Sequence, residues 1–240
     1  MKAFQNLLYI ILISLIVSSC NSETEKNFTL NGSVKGLKKG VVYLQKEDGT
    51  SIVDLDSVVI KGTSDFTLKT NIDEPILLYL KLHKNDGQEH FIPFFADKGI
   101  TEIKTTLKRF TSDAKITGSE QQVLLEEYLK LMSDFNDSNL DLIKANFEAA
   151  KRNDTITSDS LAKRSNRLLK LKYASTINFA LNHGDSEVAP YLALYEAPNA
   201  SVKYLDSIYN NLTDKVKQSY YGKTLGKALN DFKKAQDSIK

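Results

Sequence analysis

Between Gly118 and Ser119 the chain changes its period. Before this point apolar residues recur at every second position; after it they recur at three- and four-residue spacing. Alternation marks half-buried strands, and the longer spacing marks one apolar face of a helix. A single chain with one such change predicts a β layer followed by helices that pack on it or on each other.

The alternating half begins at "FTLNGSV", which puts Phe28, Leu30, Gly32 and Val34 on one side. "GVVYLQK" follows a turn flanked by Gly36 and Gly40. Turn chemistry at Asp48-Gly49 and Lys61-Gly62 brackets a strand around Ile52 to Ile60, after which Phe66 and Leu68 alternate again. "PILLYLKLH" and "EHFIPFFA" are two more strands, separated by "KNDGQ"; in "GITEIKTTL", Ile100 and Ile103 are out of strict register. Seven or eight short strands joined by hairpins predict an antiparallel β-sandwich or partly open barrel over residues 28–118. Gly32 allows a bulge or close strand contact, and Gly62 and Gly118 suit turns with unusual dihedrals. Asp56-Ser57 is placed to pin a hairpin through side-chain-to-backbone bonds.

The second half, 119–240, predicts an all-helical region and so an α+β fold. Ser119 and Gln122 have capping-box spacing, and Val123, Leu124, Tyr128, Leu131 and Phe135 share a helical face. The polar "NDS" at 136–138 interrupts or decorates this segment. A second helical run ends at His183-Gly184, with Gly184 as its cap. Pro190 fits the first turn of a short helix in "EVAPYLALYEA". Val202, Leu205 and Tyr209 mark another helix, followed by "TDKVKQS" and "YYGKTLGKALNDFKKA".

Composition narrows the function. Lys and Arg number 32 against 30 Asp and Glu, a near balance that gives no pull toward nucleic acid. Apolar residues at 41% supply a core, which sets the chain apart from disordered sequences. The sequence lacks GxSxG, a Walker loop, a dinucleotide fingerprint and HExxH. His83 and His90 flank "KNDGQE" and, with Asp86 or Glu89, are the nearest approach to a metal site; polar side chains beside a turn explain them better. His183 belongs to a helix end. "DLDS" at 54–57 offers too few oxygens for a calcium loop, and Asp54 and Asp56 are expected to share the solvent face of a strand. Glu126 and Glu127 read as the wet side of a helix, Tyr220 and Tyr221 as packing residues, and the lysine-rich tail as a solvated helix end. No cofactor and no catalytic residue is expected.

One cysteine occurs, Cys20, in "LIVSSCNSETEK". With no second cysteine the chain forms no internal disulfide, CxxC pair or thiolate metal site. An apolar run from Leu7 to Val17 precedes it, too short for a comfortable membrane span and suited to a signal-peptide core. "VSSC" resembles the lipobox of bacterial lipoproteins. That resemblance implies cleavage before Cys20, lipid attachment to its sulfur and a bilayer as partner: residues 1–19 are then a signal peptide and 20–27 a tether. Buried acyl methylenes are worth about 0.8 kcal/mol each, so several chains hold stably.

"FTLNGSVKGLKKGVVYL" (28–44), "DSVVIKGTSDFTL" (56–68), "FFADKG" (94–99) and "ITGSEQQ" (116–122) together resemble the β-rich domain of unknown function, DUF4369-like, of Bacteroidota lipoproteins. There it usually precedes a thioredoxin-like module of the thiol-disulfide oxidoreductase or peroxiredoxin type. "SYYGK" (219–223) resembles the segment before the linker to that module; here only residues 224–240 follow, so the resemblance implies no thiol chemistry in this chain. It implies a non-catalytic envelope lipoprotein, outer-membrane and periplasm-facing, that acts through protein contacts. The alternatives are a docking protein for a separate thioredoxin-like enzyme and a small-ligand binder using the groove between sandwich and helices.

Overall fold

The computed structural model describes residues 25–49, 51–84 and 88–237. Eight strands precede six helices among them: β1 (Phe28–Lys35), β2 (Lys39–Asp48), β3 (Ser51–Lys61), β4 (Asp65–Thr70), β5 (Ile76–His83), β6 (Glu89–Ala96), β7 (Gly99–Thr106) and β8 (Lys115–Thr117), then α1 (Glu120–Lys151), α2 (Thr155–Asn182), α3 (Val188–Tyr195), α4 (Val202–Asn211), α5 (Asp214–Lys217) and α6 (Tyr220–Asp237). Cys20, the expected signal peptide at 1–19 and Asp86 lie outside the described residues.

The strands form two four-stranded sheets, ordered β4-β1-β7-β8 and β3-β2-β5-β6. Neither closes into a barrel, so the open sandwich is the form adopted. Phe28, Leu30 and Val34 of the first sheet meet Leu44, Leu78, Leu80 and Phe94 of the second in one buried core. The expectation of a wholly antiparallel sandwich needs one correction: β1 and β7 are parallel, Phe28 opposite Gly99 and Lys35 opposite Thr106. Hairpins cannot join parallel neighbours. The chain instead builds β4 on one side of β1, crosses to make β5 and β6, and returns on the other side.

Gly32 sits opposite Phe66 in the β1–β4 register, and the Phe66 ring lies over the space a Cβ would occupy. Of the two roles expected for this glycine, the close contact is the one found. At the sandwich edge, the Asp56 carboxylate accepts the Ser57 amide at 2.8 Å and the Lys69 amide of β4 at 2.7 Å. One side chain thus ties β3 to β4 and so one sheet to the other. Asp54 and Asp56 do not share a regular face. The β2–β3 register shifts so that Leu44 pairs with Asp56 while Gln45 pairs with Asp54. This bulge at Leu55 turns Leu55 against the core and lets Asp54 accept the Gln45 amide at 2.6 Å.

The helices cover the outer face of the second sheet, giving three layers: sheet, sheet, helices. Leu77 and Phe95, which point away from the sandwich core, pack with Leu125, Tyr128 and Met132 of α1, Val188 and Leu192 of α3, and Tyr221 of α6. The expected α1 face is rotated. Tyr128 is buried and Leu124 and Phe135 are partly so, but Val123 and Leu131 are exposed while Gln122, Leu125 and Met132 are buried. "NDS" decorates rather than interrupts, since α1 runs unbroken to Lys151. Gly184 is not a left-handed cap. His183 ends α2, and Gly184 lies so close to Asn211 that a Cβ would meet the Asn211 carbonyl.

The far halves of α1 and α2 stand clear of the sheets as an antiparallel hairpin. Their own small core is Leu142, Ala149 and Leu161, with Leu168 beside it. Asn153, at positive φ, makes the turn, and the Asp154 carboxylate caps α2 by accepting the Thr157 amide at 3.0 Å.

Candidate functional site

The junction between sheet and helices carries most of the aromatic and polar groups that converge. Its first element is the start of α1. Ser119 is the N-cap, and its hydroxyl accepts the Gln122 amide at 3.0 Å. Gln122 does not reach back to complete a capping box. Its side-chain carbonyl accepts the Phe95 amide at 2.9 Å, and its amide donates to Glu126 at 2.9 Å. Phe95 lies on β6, the edge of its sheet, so its outward N–H has no strand partner. Gln122 takes the strand's place. The Asp97 carboxylate strengthens the joint by accepting the Ser119 hydroxyl at 2.8 Å and the Gln121 amide at 3.2 Å.

A second joint holds α6. Glu74, in the β4–β5 connection, accepts the Tyr220 amide at the helix start at 2.7 Å. A carboxylate there satisfies a free donor and meets the positive end of the helix dipole. The Tyr221 hydroxyl accepts the Leu77 amide of β5 at 3.3 Å. Gly222 lets this helix start fold tightly, because a Cβ would overlap the Val216 carbonyl.

Around Phe95 the rings of Tyr191 and Tyr221 stand edge-on at 5.3 and 5.8 Å, and Tyr195 joins Tyr191 at 5.0 Å. Burial pushes the Tyr221, Tyr128 and Tyr79 hydroxyls far above the ordinary tyrosine range, and Tyr191 up to about 12, with the Glu196 carboxylate adding to the effect on Tyr191. For Tyr79 the Glu47 carboxylate adds to burial and accepts the phenolic proton at 3.1 Å. These tyrosines are neutral packing and hydrogen-bonding groups at physiological pH. Tyr220 packs edge-on against Tyr221 at 5.1 Å beside the same core, so both act as packing residues, as their sequence context implies.

A cleft of about 610 Å³ opens beside the junction, lined by Leu77, Pro93, Gln122, Leu125, Tyr191 and Glu196 among others. Several of its polar groups are paired with one another or with neighbours. Tyr128 and Thr176 share a hydrogen bond at 3.0 Å, Tyr128 donates to Glu196 at 3.5 Å, and Lys172 pairs with Glu196 at 3.3 Å. The lining combines apolar wall from Leu77, Ile92, Pro93 and Leu125 with the polar groups of Gln122, Tyr128 and Glu196. A larger recess, about 920 Å³, lies at the other end of the sandwich, between Val41 and Val59 and beneath Lys38, Lys39 and Lys61.

The residues singled out by sequence disperse. His83 pairs across the strands with Glu89 and is exposed, whereas His90 pairs with Leu82 and lies edge-on to Phe110 at 6.1 Å. Neighbouring register positions face opposite sides of a sheet, so the two histidines do not converge. The His183 ring contacts the Phe179 carbonyl at 2.8 Å and packs on the Phe179 ring at 4.3 Å. Glu126 and Glu127 are both exposed. Among the described residues no group of three or more His, Cys, Asp or Glu is arranged to hold a metal ion, and no helix is long and apolar enough to cross a membrane. Sequence reasoning missed Glu74 and Asp97. Their signal was faint: each is an acidic residue in a turn before or between strands.

Residues 28–125 match DUF4369, a domain of unknown function. The match runs past the strand-to-helix change and ends at Leu125. The DUF4369 region thus includes the first turn of α1 and the Gln122–Phe95 joint. No curated protein and no solved structure matches the chain.

Proposed function

We propose that this protein is a non-catalytic lipoprotein of the cell envelope, tethered through Cys20 and acting by protein contact. The observation that carries the reading is where the folded body begins. Asn27 is fixed by four hydrogen bonds: its side chain donates to the Ile72 carbonyl at 2.9 Å and accepts the Ile72 amide at 2.8 Å, its own amide donates to Asn71 at 3.1 Å, and its carbonyl accepts the Gly99 amide at 2.9 Å. The "VSSC" cysteine lies seven positions before that pin. An extended chain gains at most about 3.5 Å per residue, so a lipid on Cys20 holds the body within roughly 25 Å of the bilayer. The helix joints at Glu74 and Asp97 lie at this end of the sandwich, and the lysine-lined recess points away. Outer-membrane placement facing the periplasm is part of the proposal.

Contact is the favoured mode of action because Tyr128, Thr176, Lys172 and Glu196 at the junction cleft are tied to one another, while α1 and α2 carry exposed apolar side chains. The second reading, a dock for a separate thioredoxin-like protein, draws its support from the DUF4369 match together with a described body that contains no cysteine. Intact mass analysis of the protein recovered from cell envelopes tests the anchor: a chain starting at a diacylated or triacylated Cys20 supports it, and an unmodified Cys20 overturns it. Crosslinking in cells then tests the contact. Recovery of a thioredoxin-like protein favours the second reading, and no reproducible partner counts against both.

A further inference from the structure

The helices cover the outer face of the second sheet at one end only. At the other end Lys39 stands opposite Lys61, Val41 opposite Val59, and His83 opposite Val41 on its other side. Direct antiparallel partners share a face with Cβ atoms about 5 Å apart, and like charges set this way are destabilising. The two lysines face each other all the same, with Lys38 just before them in the chain. Among the described residues, Lys38, Lys39 and Lys61 make no ion pair. Lys81, on the same face opposite Tyr43, is the contrast: its ammonium meets Glu89 at 2.6 Å. Glu89 stands opposite His83, so the one carboxylate in the row Val59, Val41, His83, Glu89 is already taken.

These lysines border the recess of about 920 Å³, and its lining holds no acidic side chain. Val41 and Val59 form the floor, with Val59 57% exposed. The lysine stems add apolar wall beneath their charged heads. Charge is segregated along the whole sandwich: β1 ends at Lys35 on the recess side, while the turns at the opposite end carry Asp48, Asp73, Glu74 and Asp97. The resulting field draws anions toward the recess. We infer that the recess binds a small amphiphilic anion, its acidic head between Lys39 and Lys61 and its apolar body on Val41 and Val59. The head supplies the counter-charge that the fold leaves out, and the body takes the valines out of water. The volume falls within the roughly 300–1,000 Å³ of small-molecule sites. The site is separate from the junction cleft, and the inference is independent of the lipid anchor.

The full chain carrying Cys20→Ser, which has no acyl group of its own to compete, tests this by calorimetric titration with decanoate and with decyl phosphate, each below its micelle-forming concentration. Both are expected to bind at one site, and the tighter of the two tells a carboxylate head from a phosphate one. Added salt weakens both. Lys39→Ala and Lys61→Ala each weaken binding about fivefold, whereas Lys98→Ala, at the opposite end of the sandwich, leaves it unchanged. Lys61→Glu separates the site from the fold. It turns two opposed lysines into an ion pair, so it removes binding while the melting temperature of the unliganded protein holds or rises. Equal binding of decyltrimethylammonium overturns the inference, since charge then selects nothing. Equal binding of acetate or inorganic phosphate overturns it too, since the apolar floor then adds nothing. So does the absence of binding by both decyl probes at millimolar concentration; if phosphatidylglycerol vesicles or a polyglutamate peptide then bind through Lys39 and Lys61, the surface belongs to a lipid surface or an acidic protein instead.

Discussion

The Gln122 side chain occupies the place of a missing strand: its carbonyl accepts the Phe95 amide at 2.9 Å on the open edge of β6. One buried amide therefore ends the sheet and begins the helical layer. It also couples the two, because Ser119 fixes the Gln122 backbone while Phe95 fixes its side chain. Gln122→Ala leaves the buried Phe95 N–H without a partner, which costs about 1–3 kcal/mol. Urea unfolding is expected to show a lower midpoint for this variant. An unchanged midpoint would mean that water replaces the amide and that the joint carries little.

Gly32 and Gly222 are both close-contact glycines, but the contacts differ in kind. At Gly32 a Cβ meets the Phe66 ring, a side chain able to rotate; at Gly222 it meets the Val216 carbonyl, which is backbone. Overpacking that a side chain can relieve costs about 1–3 kcal/mol. Gly32→Ala is expected to fall in that range, and Gly222→Ala to cost more and to displace α6 from Leu77. Thermal melts of the two variants give the order directly; the reverse order would show that the turn before α6 yields more easily than the Phe66 ring.

The strands could be read in the sequence because each is its own alternation. Phe28, Leu30, Gly32 and Val34 do lie on one buried face. The β1–β7 pairing could not, since hairpin logic joins neighbours and 63 residues separate these strands, with β4 and all four strands of the other sheet, β2, β3, β5 and β6, between them. The junction shows the same limit. Ser119 and Gln122 have the spacing of a capping box, and that pattern records only local partners; the amide that claims the Gln122 side chain belongs to Phe95, 27 residues away. The α1 face was misplaced because Val123 and Leu131 are apolar yet exposed, whereas polar Gln122 is buried. A hydropathy rule cannot anticipate a glutamine recruited to a sheet edge. The DUF4369 match, ending at Leu125, takes in this joint and leaves out the hairpin.

Alkaline pH is expected to loosen the junction. Burial raises Tyr191 to about 12, above the value near 10 of an unfolded tyrosine. The folded state therefore holds this proton more tightly than the unfolded state. The sign follows: the contribution is complete below pH 10 and is lost as pH rises from 10 toward 12. Tyr221 and Tyr128, shifted in the same direction, extend the loss further. Tyr191→Phe keeps the ring and removes the ionisable group. It is expected to match the parent in melting temperature at pH 8 and to exceed it at pH 11. A parallel fall of both proteins across that window would place the alkaline loss elsewhere.

The hairpin is expected to open before the rest of the molecule. Near the sheets α1 is held by Leu125, Tyr128 and Met132 in a core shared with β5, β6, α3 and α6. Beyond Phe135 it has only Leu142 and Ala149, set against Leu161 and Leu168 of α2. Regions with few buried apolar contacts unfold locally at low free-energy cost. Amides of residues 138–165 should therefore exchange with deuterium well before those of 122–132. Leu161→Ala removes part of the small core, costs about 2–5 kcal/mol locally, and should speed exchange at the hairpin tip without altering the amides of β5 or β6. Exchange that is uniform along α1 would instead make the hairpin one cooperative unit with the sheets.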